Sequence, residues 1–415
     1  MSGVTRRDFG KLALASLPAT ALFGNSTLAA ALVQAKPNSL INGVQIGTIT
    51  YSYRSMADQS AEATLKYVIE SGISGIELMG GPVNDWARKK GNFRPSVVPE
   101  AGRAGGGGRG GDAGGRAGGA REGGAPPSFA PVAGMMTGPG NSQPAGQWNG
   151  TPCAPAGARG GRGDAAPAAA GAPGAAAGAA AAPAGRGGGG GRGAQTPEQI
   201  AAAEEERKWR MSLSMDIFKD LRKMYNDAGV SIYAVKDVRQ GTDEDLEYTF
   251  TVAKTLGANH VTLELPAGAN AAATLKRLGD WAVKSNMYVA YHTHQQGSMT
   301  CFDEAFAISK GNMANVDLGH FVAATNPEGT PLDFLNKHHA RISSFHLKDR
   351  TTVAHCAQNL AWGTGETPIK DILQLVSKNK WQIPGSIELE YAIPAGSNAV
   401  LETKKCVEFC RAALA

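Results

Sequence analysis

From Val44 to the C-terminus, short runs rich in β-branched and apolar residues alternate with longer stretches in which apolar positions recur at helical spacing. The runs are VQIGTIT (44–50), GIELM (75–79), SIYAVKD (231–237), HVTLEL (260–265), YVAYHTH (288–294), NVDLGH (315–320), ISSFHLKD (342–349) and SIELEY (386–391). The intervening pattern predicts helices near 61–71, over about 197–228, after Thr242, after Asn270, and behind each later run. Eight strand–helix pairs in succession predict an α/β protein whose parallel sheet closes on itself as a single (β/α)8 TIM barrel. Nearly every run ends in a polar residue: Glu77, Asp237, Glu264, His292 and His294, Asp317, His346 with Lys348 and Asp349, then Glu388 and Glu390. In such a barrel the C-terminal strand ends form the mouth where functional groups collect.

Two segments break the alternation. Residues 101–195 are Gly, Ala, Pro and Arg with almost no large apolar side chain, a composition that predicts a disordered insert. Its eight Arg against Asp112, Glu122 and Asp164 give +5, equal to the net charge of the whole chain, so the remaining body is near neutral and nothing in it points to nucleic acid. The insert is expected to leave the barrel between strand two and its helix, as a mobile lid, a tether or neutral expansion, the last being preferred. At the N-terminus TRRDFGK (5–11) leads through an Ala/Leu-rich stretch to LAAAL (28–32). This resembles a twin-arginine export signal, implying a periplasmic or exported protein without stable membrane association after cleavage; a basic tail or short anchor is the alternative. The domain reading is therefore a signal over 1–36, a barrel over 37–100 and 196–415, and the insert over 101–195. The barrel is then roughly 285 residues, a natural size for this fold. The five cysteines read as isolated structural thiols, with a bridge possible in an oxidising compartment.

Carboxylates and imidazoles converging on one mouth repel or lie unsatisfied unless something neutralises them, because burying unpaired charge is costly. A divalent cation resolves this, and O/N donors without thiolate suit Mn, Co, Mg, Fe or Zn. YVAYHTHQQG (288–297) poses the question most directly. His292 and His294, two apart on an extended chain, share a face and need hydrogen-bond partners or a metal. Bonds to backbone or carboxylates remain the plainer alternative.

GIELMGGP, AYHTH, VDLGH, FHLKD with the later WGTGE, and SIELEY together resemble the xylose isomerase-like TIM barrels, the sugar phosphate isomerases/epimerases, over about 44–412. That family includes tagatose 3-epimerase-like enzymes, inosose dehydratases and, more distantly, endonuclease IV. The resemblance implies metal ligands on strands five to eight: Asp317 with His320 three positions on, His346, and Glu388. Many epimerases carry on strand five a glutamate that binds metal and takes a proton; here His292 stands in its place. This resembles the Tyr-His-x-His, inosose dehydratase-like branch, where a strand-four carboxylate, here Glu264, is the candidate replacement. The implied metal set is Glu264, His292, Asp317, His346 and Glu388, holding Mn, Co, Mg or Zn. Whether Glu264 or His292 is the first ligand stays open.

The chemistry so implied is proton abstraction beside a sugar carbonyl to give an enediolate. Glu264 and Glu388 are the expected base and conjugate acid, Lys348 the group that stabilises the enediolate oxygen, and His294 a substrate contact or proton relay. His320 and Glu77 are the expected substrate-binding residues. Return of the proton gives a sugar isomerase or epimerase; loss of a β-leaving group gives a keto-sugar lyase or dehydratase acting on a 3-keto-glycoside or inosose. A sugar-binding barrel without catalysis is the non-enzymatic alternative. A small-molecule carbohydrate is the expected partner, and assembly as a homo-oligomer is left open. RGG-like pieces in the insert raise nucleic-acid binding, which its scarce aromatics oppose. Gly363-Thr364-Gly365 lacks a strand-to-helix nucleotide signature, so no nucleotide cofactor is expected.

Overall fold

A computed structural model of the chain describes residues 36–93, 147–149, 151–153 and 196–415. Eight strands run in parallel: β1 Val44–Ile49, β2 Gly75–Met79, β3 Ser231–Lys236, β4 His260–Glu264, β5 Tyr288–His292, β6 Asn312–Asp317, β7 Ile342–Leu347 and β8 Gly385–Ile387. Each pairs with the next, and β8 returns to β1, so the sheet closes and has no free edge. The body so formed runs from Pro37 to Ala415. The proposed export signal lies outside the described residues.

The helices are α1 Ala61–Glu70, α2 Gly80–Lys90, α3 Pro197–Met211, α4 Asp216–Asp227, α5 Asp243–Leu256, α6 Ala271–Lys284, α7 Asp303–Ile308, α8 Leu318–Ala324, α9 Pro331–His338, α10 Ile369–Lys378 and α11 Ala399–Leu414. Local sequence explains their ends. Thr242 and Asp245 form a capping box at α5, which stops at Gly257 in the left-handed conformation; Thr330, Pro331 and Asp333 start α9 in the same way. None of the described helices is long and apolar enough to cross a membrane.

Four expectations need correction. The single helix over 197–228 is two, α3 and α4, because serine hydroxyls take over the backbone partners at the joint: Ser212 Oγ donates to Trp209 O (2.7 Å) and Asp216 N donates to Ser214 Oγ (3.2 Å). The run NVDLGH is not all strand. Its Asp317 ends β6 and caps α8, so His320 is helical. The insert does not separate strand two from its helix, since α2 follows β2 directly and the insert falls between α2 and α3. Most of the insert lies outside the described residues, but Gln147–Trp148 pairs antiparallel with Thr151–Pro152, and Cys153 is disulfide-bonded to Cys356. These two cysteines are therefore not isolated thiols. At a sequence separation of 203, only the fold brings their Cα atoms to 5.1 Å. Cys301, Cys406 and Cys410 are free, the last two buried on α11.

The barrel interior is polar and closely filled. Gly47 has no room for a Cβ, which would strike the Tyr233 side chain and the Gly75 carbonyl. Tyr233 reaches across to Ser386 and stacks on His260, whose Nε2 meets Ser344 Oγ at 2.9 Å. Burial holds His260 neutral, its pKa lowered to about 4. The unfolded chain takes up that proton below about pH 6.5, and the folded one only near pH 4. The His260 contribution to stability should therefore fall by up to ~3 kcal/mol between those values and change little below them. His260→Gln is expected to flatten this acid limb in urea titrations at pH 7 and 5; parallel pH dependence in the variant and the native protein would contradict it.

Candidate metal centre and active site

The strand ends converge as the topology requires. His292 ends β5, Asp317 ends β6, His346 lies on β7, and Glu388 directly follows β8. Each of the four offers a donor atom within 4.8 Å of the others', and all four residues are buried. His346 is wholly enclosed. Its Nδ1 meets Glu388 Oε2 and its Nε2 meets Glu77 Oε2, both at 2.8 Å. Glu77 is held in turn by Thr262 Oγ1 (2.6 Å) and Asn315 Nδ2 (3.2 Å).

A second layer lies over the first. Lys348, two positions beyond His346, places Nζ 3.0 Å from Asp317 Oδ2, 2.8 Å from Glu388 Oε2 and 2.6 Å from Glu390 Oε2. Gly319 makes this possible, because a Cβ there would collide with the Lys348 side chain and carbonyl. Asp317 Oδ1 accepts the His320 N–H at 2.6 Å, which caps α8 and fixes the carboxylate. The Arg350 guanidinium donates to His320 Nδ1.

On the opposite side Glu264, at the end of β4, takes Lys236 Nζ on Oε1 at 2.9 Å and has His294 Nδ1 3.4 Å from Oε2. Glu264, His292 and His294 form a second group of close donors sharing His292 with the first. The His292 ring lies 4.5 Å from that of His346 and 5.0 Å from that of His294.

Burial and close charge set the protonation states. Burial opposes charge on His346, but Glu77 and Glu388 outweigh it and raise the pKa to about 10. Burial raises Glu77, and the His346 charge and hydrogen bond more than reverse this, to about 2. Glu388, likewise raised by burial, is driven well below the carboxylate range by Lys348 and His346. Burial dominates at Asp317 despite Lys348, lifting it to about 6. His292 is held neutral by burial and by the nearby Lys236 and His346 charges.

The donor set fits a divalent cation. His292 Nδ1 is buried and makes no hydrogen bond, a costly state for an atom of this kind, and Asp317 Oδ2 has only the Lys348 ammonium, at 3.0 Å. Two imidazoles and two carboxylates without sulfur are the ligands expected of Mn, Co, Mg or Zn. The residues that would hold the ion are His292, Asp317, His346 and Glu388.

Of the residues expected from sequence, these four come together, and Glu264 stands beside them rather than among them. His294 lies beyond the strand, with its side chain 39 % exposed. Glu77, expected to touch substrate, has no exposed surface, and its oxygens are occupied by Thr262, Asn315 and His346. Lys236, Asn315 and Arg350 of the assembly were not among the expected residues, and Glu390 figured only as a polar strand end. Strand parity could have found the first two, since Asn315 shares a face with Asp317, and Lys236 faces inward where Asp237 turns to Asn84 and Arg239.

A closed eight-stranded parallel barrel with a buried His/Asp/Glu cluster at its strand ends defines the class, a (β/α)8 barrel. The profile of the xylose isomerase-like TIM barrel family matches residues 200–412, and the chain belongs to that family. Among solved structures it is similar to a sugar phosphate isomerase/epimerase from Parabacteroides distasonis (17 % identity, 48 % of this chain and 76 % of that one, TM-score 0.38). A xylose isomerase-like TIM barrel protein from Mycobacterium smegmatis in complex with magnesium is similar too (17 %, 49 % and 81 %, TM-score 0.35). So is a D-psicose 3-epimerase in the presence of D-fructose (11 %, 49 % and 86 %, TM-score 0.37). No curated protein matches the chain.

Proposed function

We propose that the protein is a metal-dependent sugar isomerase or epimerase that removes a proton next to a carbonyl and passes through an enediolate. The observation that carries this reading is the buried quartet His292, Asp317, His346 and Glu388, with His292 Nδ1 left without a hydrogen bond. A divalent cation bound there would supply Lewis-acid polarisation of adjacent carbonyl and hydroxyl oxygens. Glu264 is the base. Its Oε1 is pinned by Lys236, its Oε2 carries no hydrogen bond, and it is more exposed than Glu388, whose Oε2 is committed to His346 and Lys348. His294, half-exposed beside Glu264 Oε2, passes the proton onward. Lys348 faces the developing enediolate charge, and Glu77 orients His346 from beneath.

The replacement of a strand-five carboxylate by the neutral His292 favours a second outcome for the same intermediate, loss of a β-leaving group from a keto-sugar as in the inosose dehydratase-like branch. We also propose export by the twin-arginine route, for which the Cys153–Cys356 bridge is independent support, since such bonds persist in oxidising compartments. Replacing Arg6 and Arg7 by Lys should retain the protein in the cytoplasm; unchanged fractionation would refute export.

Incubation with keto-sugars in deuterated water with Mn or Co should wash one carbon-bound proton out of the substrate, and the NMR spectrum of the product separates isomerisation from elimination. Glu264→Gln is expected to lower the exchange rate by ~10²–10⁴ with metal content unchanged. Exchange at the native rate in this variant would remove Glu264 from the role.

A further inference from the structure

We infer that Arg350 is a positioning residue that locks His320 as a neutral imidazole with its proton on Nε2, so that His320 serves as a hydrogen-bond donor to a substrate oxygen and not as a base. A guanidinium has donors only. Since the Arg350 Nη1 group donates to His320 Nδ1, that nitrogen must accept, and the ring proton is left on Nε2. His320 is buried, with its side chain 11 % exposed, and its position is fixed at the backbone, where His320 N donates to Asp317 Oδ1. Nε2 has no hydrogen-bond partner, lying 3.8 Å from Glu390 Oε2, and the ring sits edge-on to His294 with centroids 4.9 Å apart. A buried donor thus points at the space bounded by Glu390, Lys348 and His294, where the proposed enediolate oxygen would form. Burial, with the Lys348 and Arg350 charges close by, opposes a second proton on the ring.

Arg350 is itself held from behind. Its Nη2 donates to Ala357 O at 2.5 Å. Cys356 and Ala357 both have left-handed backbones (φ 74° and 46°), a corner that residues with side chains rarely adopt. The corner is tied by Ala357 N to Thr352 O (2.8 Å), by Gln358 N to Thr351 Oγ1 (2.8 Å), and by the bridge from Cys356 to Cys153. The disulfide therefore clamps the carbonyl on which Arg350 rests.

The use assigned to His320 rests on the enediolate reading above; its tautomer does not. The test is long-range 1H–15N correlation of the imidazoles in full-length protein labelled with 15N-histidine, with and without magnesium. His320 should show the Nε2–H pattern in the native protein, keep it in Arg350→Lys, and lose it to a tautomer mixture in Arg350→Met. An Nδ1–H pattern in the native protein, or an unchanged pattern in Arg350→Met, would overturn the inference. For the donor role, His320→Gln, which keeps an N–H but cannot act as a base, should exchange substrate protons about 10-fold faster than His320→Ala. Equal rates in the two would count against it, whereas absence of exchange in the native protein would count against the enediolate reading alone.

Discussion

Lys348→Met is expected to destabilise the metal-free protein by about 3–5 kcal/mol, the cost typical of removing one partner from a buried ion pair. Lys348 is almost fully enclosed, and its ammonium lies within 3.0 Å of carboxylate oxygens from Asp317, Glu388 and Glu390. Without it the His346 imidazolium and the Lys236 ammonium remain to offset Glu77 and Glu388, and Asp317 and Glu390 lose their close cation. A divalent ion in the quartet would restore part of that balance. Adding Mn or Mg should therefore recover more stability in the variant than in the native protein. Urea unfolding with and without metal measures both quantities. A loss below about 1 kcal/mol, or equal metal effects in the two proteins, would contradict this account of the charges.

The second large effect belongs to His346→Ala. The imidazole is both a proposed ligand and the bridge between Glu77 and Glu388, so its removal deletes a donor and leaves the buried Glu77 carboxylate without its cation. Affinity for Mn should fall by more than ~100-fold, beyond the ~10–100-fold expected for a residue that only supports a ligand. Glu77→Gln supplies that comparison. It keeps the Thr262 contact and an approximate shape, and should fall within the smaller range. Titration calorimetry reads both, and a larger loss in Glu77→Gln than in His346→Ala would reverse the assigned order.

Much of the barrel was legible because β-branched runs alternate with helical stretches, and β2 matches its run end for end. The strand ends were less legible. DLGH reads as a continuation of strand, yet Asp317 is a helix cap, and only the hydrogen bond from His320 N reveals it. SIELEY contributes only Ser386 and Ile387 to β8, which starts at Gly385; Glu388 and Glu390 lie past it and still reach the mouth. The quartet was legible because all four residues sit at or just beyond strand ends, where the fold forces convergence. Lys236 was hidden by its neighbour Asp237, the more obvious polar residue. Arg350 follows β7 with no periodic signal, and the Cys153–Cys356 contact depends on tertiary folding across 203 residues.

The most direct test is the metal content of the purified protein, native and Asp317→Asn/Glu388→Gln, after dialysis against Mn, Co, Mg and Zn in turn. The account predicts one ion per chain in the native protein for at least one of these metals, and its loss from the double variant while the barrel's circular dichroism is kept. A native protein that retains no ion, or a double variant that binds as the native does, would contradict it.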